Sequence, residues 1–187
     1  MLNARLSRRT ALLALGVSPV SEWALANTVP AEVGAELASA RLHGSGRMTY
    51  FGLSVYDARL WVGERFNAAG AEREPLALEL NYTRDLKGNL IAERSLLEMQ
   101  RGSVVSADES LRWLAQMTRL FPDVVPGSRL TGVQRPNESA RFYFNGDWRG
   151  EIRDAEFARR FFGIWLSPQT SEPRLRQALL GSGQAAP

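Results

Sequence analysis

Four polar side chains lie in or beside apolar segments, where they could act on a bound organic molecule. Arg47 and Tyr56 belong to an early strand-like region. Tyr82 ends an alternating apolar run, and Arg94 belongs to a helix-like segment. A guanidinium group binds a carboxylate through paired hydrogen bonds, and a tyrosine hydroxyl donates to a carbonyl or carboxylate oxygen. We expect these residues to contact the polar end of a small ligand.

The segment RFFGIWLSP, residues 160–168, raises the question of an apolar ligand. Burial of each large side chain contributes about 1.5–3 kcal/mol to folding, which favours a role for these rings in the core. The alternative is that Phe162 and Trp165 line a cavity between helices and sheet, and neighbouring faces of one helix can serve both roles. Arg159 and Arg160 could anchor a carboxylate there, although arginine is more often a surface residue.

Composition excludes several other kinds of chemistry. The chain has no cysteine and a single histidine, His43, which excludes disulfides, thiolate nucleophiles and multi-histidine metal sites. No nucleophile elbow, phosphate loop or dinucleotide fingerprint occurs in the sequence. The turn around Asn145 contains oxygen ligands but lacks the spacing of a calcium loop. We therefore assign no catalytic residue, no metal ligand and no cofactor.

The first 26 residues have the pattern of an export signal. A basic start containing Arg8 and Arg9 precedes an apolar stretch and the cleavage pattern Ala24-Leu25-Ala26. The two arginines fit either a twin-arginine signal or an ordinary secretory signal. No later segment reaches the ~20 apolar residues of a membrane span. We expect a signal peptide over residues 1–26 and one periplasmic domain over residues 27–187.

The charge of that domain does not indicate a nucleic-acid partner. The whole chain carries a net charge of +3, of which the first 26 residues contribute +2, so that +1 remains. Its many arginines are interspersed with carboxylates, which is typical of a solvated surface of mixed charge. A basic face for nucleic acid is therefore not expected.

The elements that would position the polar residues begin with strands. Alternation in residues 53–62 places Tyr56 on a small apolar face, which we expect to point inward. Asp57 and Arg59 share the other face and can pair weakly. Residues 76–82 alternate as a half-buried strand. Residues 27–36, near the start of the domain, are expected to form a loose leader that contains a short helical piece.

Two helices follow these strands. The first is expected over residues 89–101, with Leu90, Ile91, Leu97 and Met99 on its apolar side. The second begins with a capping box formed by Ser106 and Glu109.

Strands then return before the last long helix. Asn145-Gly146 between aromatic-rich runs predicts a hairpin turn. Asp154 is expected to cap a helix that ends at Pro168. The order of strands, helices, strands and helices predicts an α+β fold made of packed layers.

Four segments carry a resemblance to a known family. Together they resemble the bacterial chalcone isomerase-like family of exported proteins, and they are GSGRMTYFGLSVYDARLWV, LELNYTRDLKG, FPDVVPGSRLTG and FYFNGDWRGEIRDAEFARRFFGIWLSPQTSEPRLRQALL. The likeness extends from Ala38 to Leu180 and is most specific in VYDARLW and FFGIWLSP. It implies a chalcone isomerase-like open-faced β-sandwich, in which helices cover one side of a large antiparallel sheet.

The resemblance leaves the activity open. Enzymes with this fold close a chalcone to a flavanone, whereas related plastid proteins bind fatty acids. The enzymes use an arginine and a threonine on early strands, and a tyrosine and an asparagine on a helix. Here the threonine position falls near Tyr56, and Arg47 is the nearest early arginine but lacks the enzymes' spacing. No tyrosine occurs between Asn89 and Phe121, so the helical donors that would stabilise charge on a ketone oxygen are missing.

We therefore expect an exported, non-catalytic protein that binds a small apolar or amphipathic ligand such as a fatty acid. One alternative is an isomerase or lyase that acts on an unsaturated carbonyl compound, with Arg47 and Tyr56 at its cleft. The other alternative is an envelope protein-interaction domain with a filled core and no ligand.

Overall fold

The computed structural model describes residues 28–102 and 104–181, and its centre is one six-stranded antiparallel sheet. The strands follow one another across the sheet in chain order. They are β1 (Arg41–Tyr50), β2 (Leu53–Val62), β3 (Leu76–Tyr82), β4 (Arg129–Arg135), β5 (Ser139–Phe144) and β6 (Asp147–Ile152). The expected signal peptide lies outside the described residues.

Helices cover the sheet unequally. They are α1 (Ala31–Glu36), α2 (Gly88–Met99), α3 (Ala107–Leu120), α4 (Ala155–Leu166) and α5 (Pro173–Leu180). The main core joins residues of α2 to α5 to one face of the sheet, and a small second cluster joins α1 to the opposite face. The helical layer on one side confirms the expected α+β open-faced sandwich.

Local sequence signals explain where these elements begin. The Ser106 side chain accepts from the backbone N–H of Glu109, and the Glu109 carboxylate accepts from the N–H of Ser106, which confirms the capping box. Asp154 accepts two backbone N–H groups at the start of α4. Asn145 and Gly146 have φ values of 52° and 95° between β5 and β6, as a two-residue hairpin turn requires.

Strand β2 alternates as expected on its inner face, but its outer face differs. Tyr56 stands opposite Tyr82 of β3 in the register, so both lie on the helix-covered face. The expected pairing of Asp57 with Arg59 is wrong, because Asp57 pairs with Arg47 at 2.6 Å and Arg59 contacts Glu79 at 3.6 Å. Asp57 therefore pairs with a residue of the adjacent strand and not with the residue two positions further along its own strand.

The short helical piece expected within residues 27–36 is present as α1, but the expectation of a loose leader is wrong because α1 is packed. Val33 and Leu37 are buried against Trp61, on the face of the sheet away from the other helices. Trp61 is therefore fully buried as well, and its indole N–H donates to the Glu79 carboxylate at 2.7 Å. Strand β3 is buried on both faces, so the expectation that it is half-buried is wrong.

The face under α1 also holds a carboxylate network, by which we mean Glu32, Glu36, Glu79 and Glu151 with their donors. Arg129 contacts Glu32 at 2.9 Å, and Arg141 contacts both Glu36 and Glu151 at 3.0 Å. All four carboxylates are thus held by neighbouring cations or N–H and O–H donors.

Close approach of α5 to β1 explains the glycines of the GSG segment. A Cβ on Gly44 would collide with the backbone carbonyl oxygen of Leu179, and one on Gly46 would meet the Leu175 side chain at 2.8 Å. The glycines therefore let α5 lie directly on the edge of the sheet.

Helix α4 is the central element of the helical layer. At its N-terminal half, Phe157 and Phe161 stack at 5.6 Å, and Phe161 meets Phe142 of β5 edge-on at 5.2 Å. These rings fill the space between α4 and β5. Phe162, Trp165 and Leu166 in the C-terminal half of α4 are buried as well.

Candidate functional site

An apolar cavity of about 310 Å³ lies between strands β1 to β3 and helices α2 and α4. Its walls are largely aliphatic and aromatic side chains, among them Met48, Leu80, Ile91, Leu130, Phe161 and Trp165. Its volume is at the lower end of the ~300–1,000 Å³ that is usual for small-molecule sites. We call it the apolar cavity below.

Two tyrosines stand on the floor of the apolar cavity. Tyr56 and Tyr82 are register partners, and their rings meet edge-on with centroids 5.7 Å apart. The indole N–H of Trp165 on α4 donates to the Tyr56 hydroxyl oxygen at 2.9 Å. Because that oxygen accepts a hydrogen bond, the Tyr56 proton remains available for another acceptor.

Both hydroxyls remain protonated at neutral pH. Burial raises the pKa of Tyr56 to about 12. Burial also raises the pKa of Tyr82 well above its usual value, and its hydroxyl has no hydrogen-bond partner among the described residues. The two groups can therefore donate hydrogen bonds to a ligand, but neither can serve as a base.

Arg84 is a cavity residue that the sequence analysis missed. It follows Tyr82 by two residues, lines the apolar cavity, and makes no ion pair or hydrogen bond within residues 28–102 and 104–181. Arg94, which was expected at the site, also lines the cavity but pairs with Glu98 at 2.6 Å. The signal for Arg84 was its place two residues beyond the inward-facing Tyr82.

Two carboxylates give the apolar cavity an uneven charge. Glu98 contacts both Arg94 and Arg101 at 2.6 Å, so its charge is neutralised. Glu172, which precedes α5, lines the cavity and has no ion pair in the part of the chain that the structure describes. Its charge acts on the Tyr56 hydroxyl. An anionic group is therefore attracted by Arg84 and repelled by Glu172.

The structure brings four of the six expected site residues to one cavity, namely Tyr56, Tyr82, Arg94 and Trp165. Arg47 is not among them, because it stands opposite Asp57 on the other face of the sheet and pairs with that residue. Phe162 packs onto Gly132 and lines a second, more polar cavity of about 380 Å³.

The second cavity also contains the two arginines of α4 that were considered as binding sites for a ligand carboxylate. Arg159 and Arg160 both line it, and both pair with Glu156 at 2.6 Å. His43 lies elsewhere, with its ring 4.9 Å from that of Phe66. Within residues 28–102 and 104–181, no group of His, Asp or Glu side chains is arranged to hold a metal ion. None of the helices in that part is long and apolar enough to cross a membrane.

The chain belongs to the chalcone isomerase-like family. The sequence model of that family matches residues 20–181, which include every strand and helix described above. This match confirms the resemblance found in the sequence.

Two similar proteins extend this result. An uncharacterized protein of Haemophilus influenzae is 30% identical to this chain over 74% of the chain and 66% of its own length. The chain thus spans just under two thirds of that relative. The crystal structure of a fatty-acid binding protein of Arabidopsis thaliana is similar in fold, with a TM-score of 0.59 at 13% identity. That likeness covers 82% of this chain and 95% of the plant protein.

Proposed function

We propose that this protein is an exported, non-catalytic binding protein for a small amphipathic molecule, of which a fatty acid is the best example. The observation that carries the proposal is an unpaired guanidinium, Arg84, at the wall of an otherwise largely apolar cavity. Such a site matches a molecule with one anionic end and one apolar end.

The chemistry of the cavity supports this assignment. Arg84 would bind a carboxylate through charge-assisted hydrogen bonds, while the Tyr56 and Tyr82 hydroxyls supply neutral donors nearby. Leu80, Leu130 and the other apolar walls would remove the ligand chain from water. The fold of the plant fatty-acid binding protein accords with this use of the space.

The absence of catalysis is part of the proposal and rests on placement. Arg47 and Tyr56 lie on opposite faces of the sheet. An isomerase or lyase of the kind considered above would need both of them in one cleft. A donor on the far side of a sheet cannot stabilise charge that develops on a substrate in the cavity.

A second candidate function follows from one observation. Glu172 and the Tyr56 hydroxyl line the same cavity, and Glu172 has no ion pair among the described residues. A carboxylate base and a neutral donor on either side of an unsaturated carbonyl compound would fit an isomerase or lyase. Turnover of such compounds that disappears in Glu172→Gln would support this alternative, and no turnover above background would exclude it.

Ligand binding is tested by extraction followed by titration. We expect protein purified from the periplasm to release fatty acid on denaturation, as seen by mass spectrometry. Arg84→Gln should weaken fatty-acid affinity by about ten- to a hundredfold, as expected for loss of a hydrogen bond to a charged group. Arg73→Gln is the matched control, because the Arg73 side chain is 83% exposed and lines neither cavity described above. An empty protein without measurable affinity, or equal loss in both variants, would contradict the proposal.

Export is tested separately. The pattern of residues 1–26 motivates it. We expect the protein in the periplasmic fraction with an intact mass that corresponds to cleavage after Ala26. A full-length protein retained in the cytoplasm would contradict export without affecting the ligand assignment.

A further inference from the structure

The mouth of the apolar cavity is surrounded by exposed apolar side chains. Tyr50 and Leu90 line the cavity and are each more than half exposed. Phe51, at the tip of the β1–β2 hairpin, is 88% exposed, and its ring contacts that of Tyr50 at 4.6 Å. Leu53, which pairs with Tyr50, is exposed as well. We call Tyr50, Phe51, Leu53 and Leu90 the mouth patch.

Helix α2 continues the mouth patch in an unexpected way. Of the four residues predicted on its apolar side, Met99 is buried and Ile91 packs against the core, as expected. Leu90 and Leu97, by contrast, are exposed. The Arg94 guanidinium lies between them along the helix, 6.0 Å from the centre of the Tyr50 ring. The apolar surface at the cavity mouth is therefore bordered by a cation with a long aliphatic stem.

The turn at the tip of the β1–β2 hairpin gives no structural reason for an exposed phenylalanine at position 51. Phe51 and Gly52 have φ values of 47° and 78°, whereas Asn145 and Gly146 have 52° and 95° in the β5–β6 turn. Asparagine tolerates positive φ, but a bulky side chain there is unfavourable. The chain thus places a phenylalanine at a position that favours asparagine, and leaves its ring in solvent.

We propose that the mouth patch inserts into the interfacial region of a lipid bilayer, so that the amphipathic ligand passes between membrane and cavity without crossing water. The role in ligand passage rests on the proposed function, whereas membrane docking itself does not. Tyrosine and long-stemmed arginine are suited to the membrane–water interface, and apolar side chains that project from a polar surface anchor proteins there. A narrow hairpin tip also fits a penetrable surface better than the flat face of a protein partner.

The position of the patch supports a bilayer as the occupant. Tyr50 and Leu90 belong both to the cavity wall and to the exposed surface. A surface that covers the patch therefore also covers the cavity mouth. An amphipathic ligand with an apolar chain is itself a component of a bilayer, so docking would place the entrance at its source.

Vesicle flotation tests this inference without depending on ligand binding. The full mature protein is mixed with vesicles of phosphatidylethanolamine and phosphatidylglycerol, and the bound fraction is measured for wild type, Phe51→Asn and Trp148→Gln. Asparagine suits the turn, so Phe51→Asn should remain folded and unfold at an equal or higher temperature. We expect it to reduce vesicle binding by about tenfold.

The control and a second measurement separate the outcomes. Trp148 is 54% exposed and lies on β6, at the opposite edge of the sheet, so Trp148→Gln should bind vesicles like wild type. Fatty-acid affinity without vesicles should be unchanged in Phe51→Asn, because Phe51 does not line the cavity. The inference would be overturned if the wild-type protein failed to float, or if Phe51→Asn floated equally well. It would also be overturned if the wild type proved to be a dimer that Phe51→Asn converts to a monomer, because the patch would then be an interface between two copies of the chain. A wild-type protein that floats with vesicles but has no measurable fatty-acid affinity would overturn only the proposed function.

Discussion

On the face of the sheet beneath α1, charged groups pair with one another, whereas on the cavity face Arg84 and Glu172 have no ionic partner among the described residues. Glu36, for example, contacts Arg141 at 3.0 Å and accepts from the Tyr143 hydroxyl at 2.6 Å. The cavity face holds ion pairs too, because Glu98 pairs with Arg94 and Arg101, but it adds the charges of Arg84 and Glu172, which have no ionic partner among the described residues.

This difference separates charge that is paired within the fold from charge that the fold leaves available. A buried carboxylate that keeps its partners in the folded state contributes to stability only through those partners. An unpaired guanidinium in a cavity contributes little to folding and remains available to a ligand. Substitutions on the α1 face should therefore change stability, and substitutions on the cavity face should change binding.

The largest effect is expected for a matched pair of glutamate substitutions. Glu36→Gln removes the charge that holds Arg135, Arg141 and Tyr143. It should lower the free energy of unfolding by about 2–3 kcal/mol, less than for a fully buried pair because the arginines are partly exposed. Glu172→Gln should leave stability unchanged and raise affinity for an anionic ligand. Urea unfolding and fatty-acid titration of both variants measure this. Equal stability loss in the two variants would remove the distinction between the faces.

One ionisable group on each face should limit stability at opposite ends of the pH scale. Hydrogen bonds from Ser139 and Arg153 lower the pKa of Glu151 from 4.5 to about 2. The stability that this carboxylate contributes is present above its unfolded pKa and should be lost as the pH falls toward 2, by about 1–2 kcal/mol. Burial raises the pKa of Tyr56 from 10.0 to about 12. Its contribution is present below the unfolded pKa and should be lost, by a similar amount, as the pH rises through the folded value.

Unfolding as a function of pH, with two variants, checks this contrast. In Glu151→Gln, the free energy of unfolding should depend less on pH in the acid range alone. In Tyr56→Phe, it should depend less on pH in the alkaline range alone. A variant that changes the pH dependence in both ranges, or in neither, would show that the limits are not set by these groups.

The smallest effect is expected for one tyrosine on each face. Tyr143→Phe removes the hydrogen bond to Glu36 and should lower the free energy of unfolding by about 1 kcal/mol without changing ligand affinity. Tyr56→Phe removes a hydroxyl that lines the cavity and accepts the Trp165 indole N–H. It should weaken fatty-acid affinity by about two- to tenfold and also lower the free energy of unfolding by about 1 kcal/mol. Thermal unfolding and titration of the two variants side by side decide this. Ligand affinity lowered in Tyr143→Phe would argue for coupling between the faces.

Much of the fold could be predicted because its signals are local. The capping box at Ser106, the turn at Asn145-Gly146 and the alternation that ends at Tyr82 each depend on a few adjacent residues. The packing of α1 could not be predicted in this way. Its buried glutamates are compatible with a helix on the sheet only because arginines from β4 and β5, about a hundred positions away, meet them.

The candidate site was predictable only in part for the same reason. Tyr56 and Tyr82 could be placed by alternation along single strands. The face of Arg47 depended on the register with β2, and the availability of Arg84 depended on which carboxylates found other partners. Neither property is encoded in the spacing of nearby residues.

Helix α4 belongs at once to the aromatic core through Phe157 and to the cavity wall through Trp165. A molecule held against Trp165 therefore restrains the same helix that the core restrains. Occupancy should be visible far from the cavity, as slower amide hydrogen exchange at the phenylalanine end of the helix. A ligand present at about a hundred times its dissociation constant would add ~2.7 kcal/mol to the free energy of unfolding.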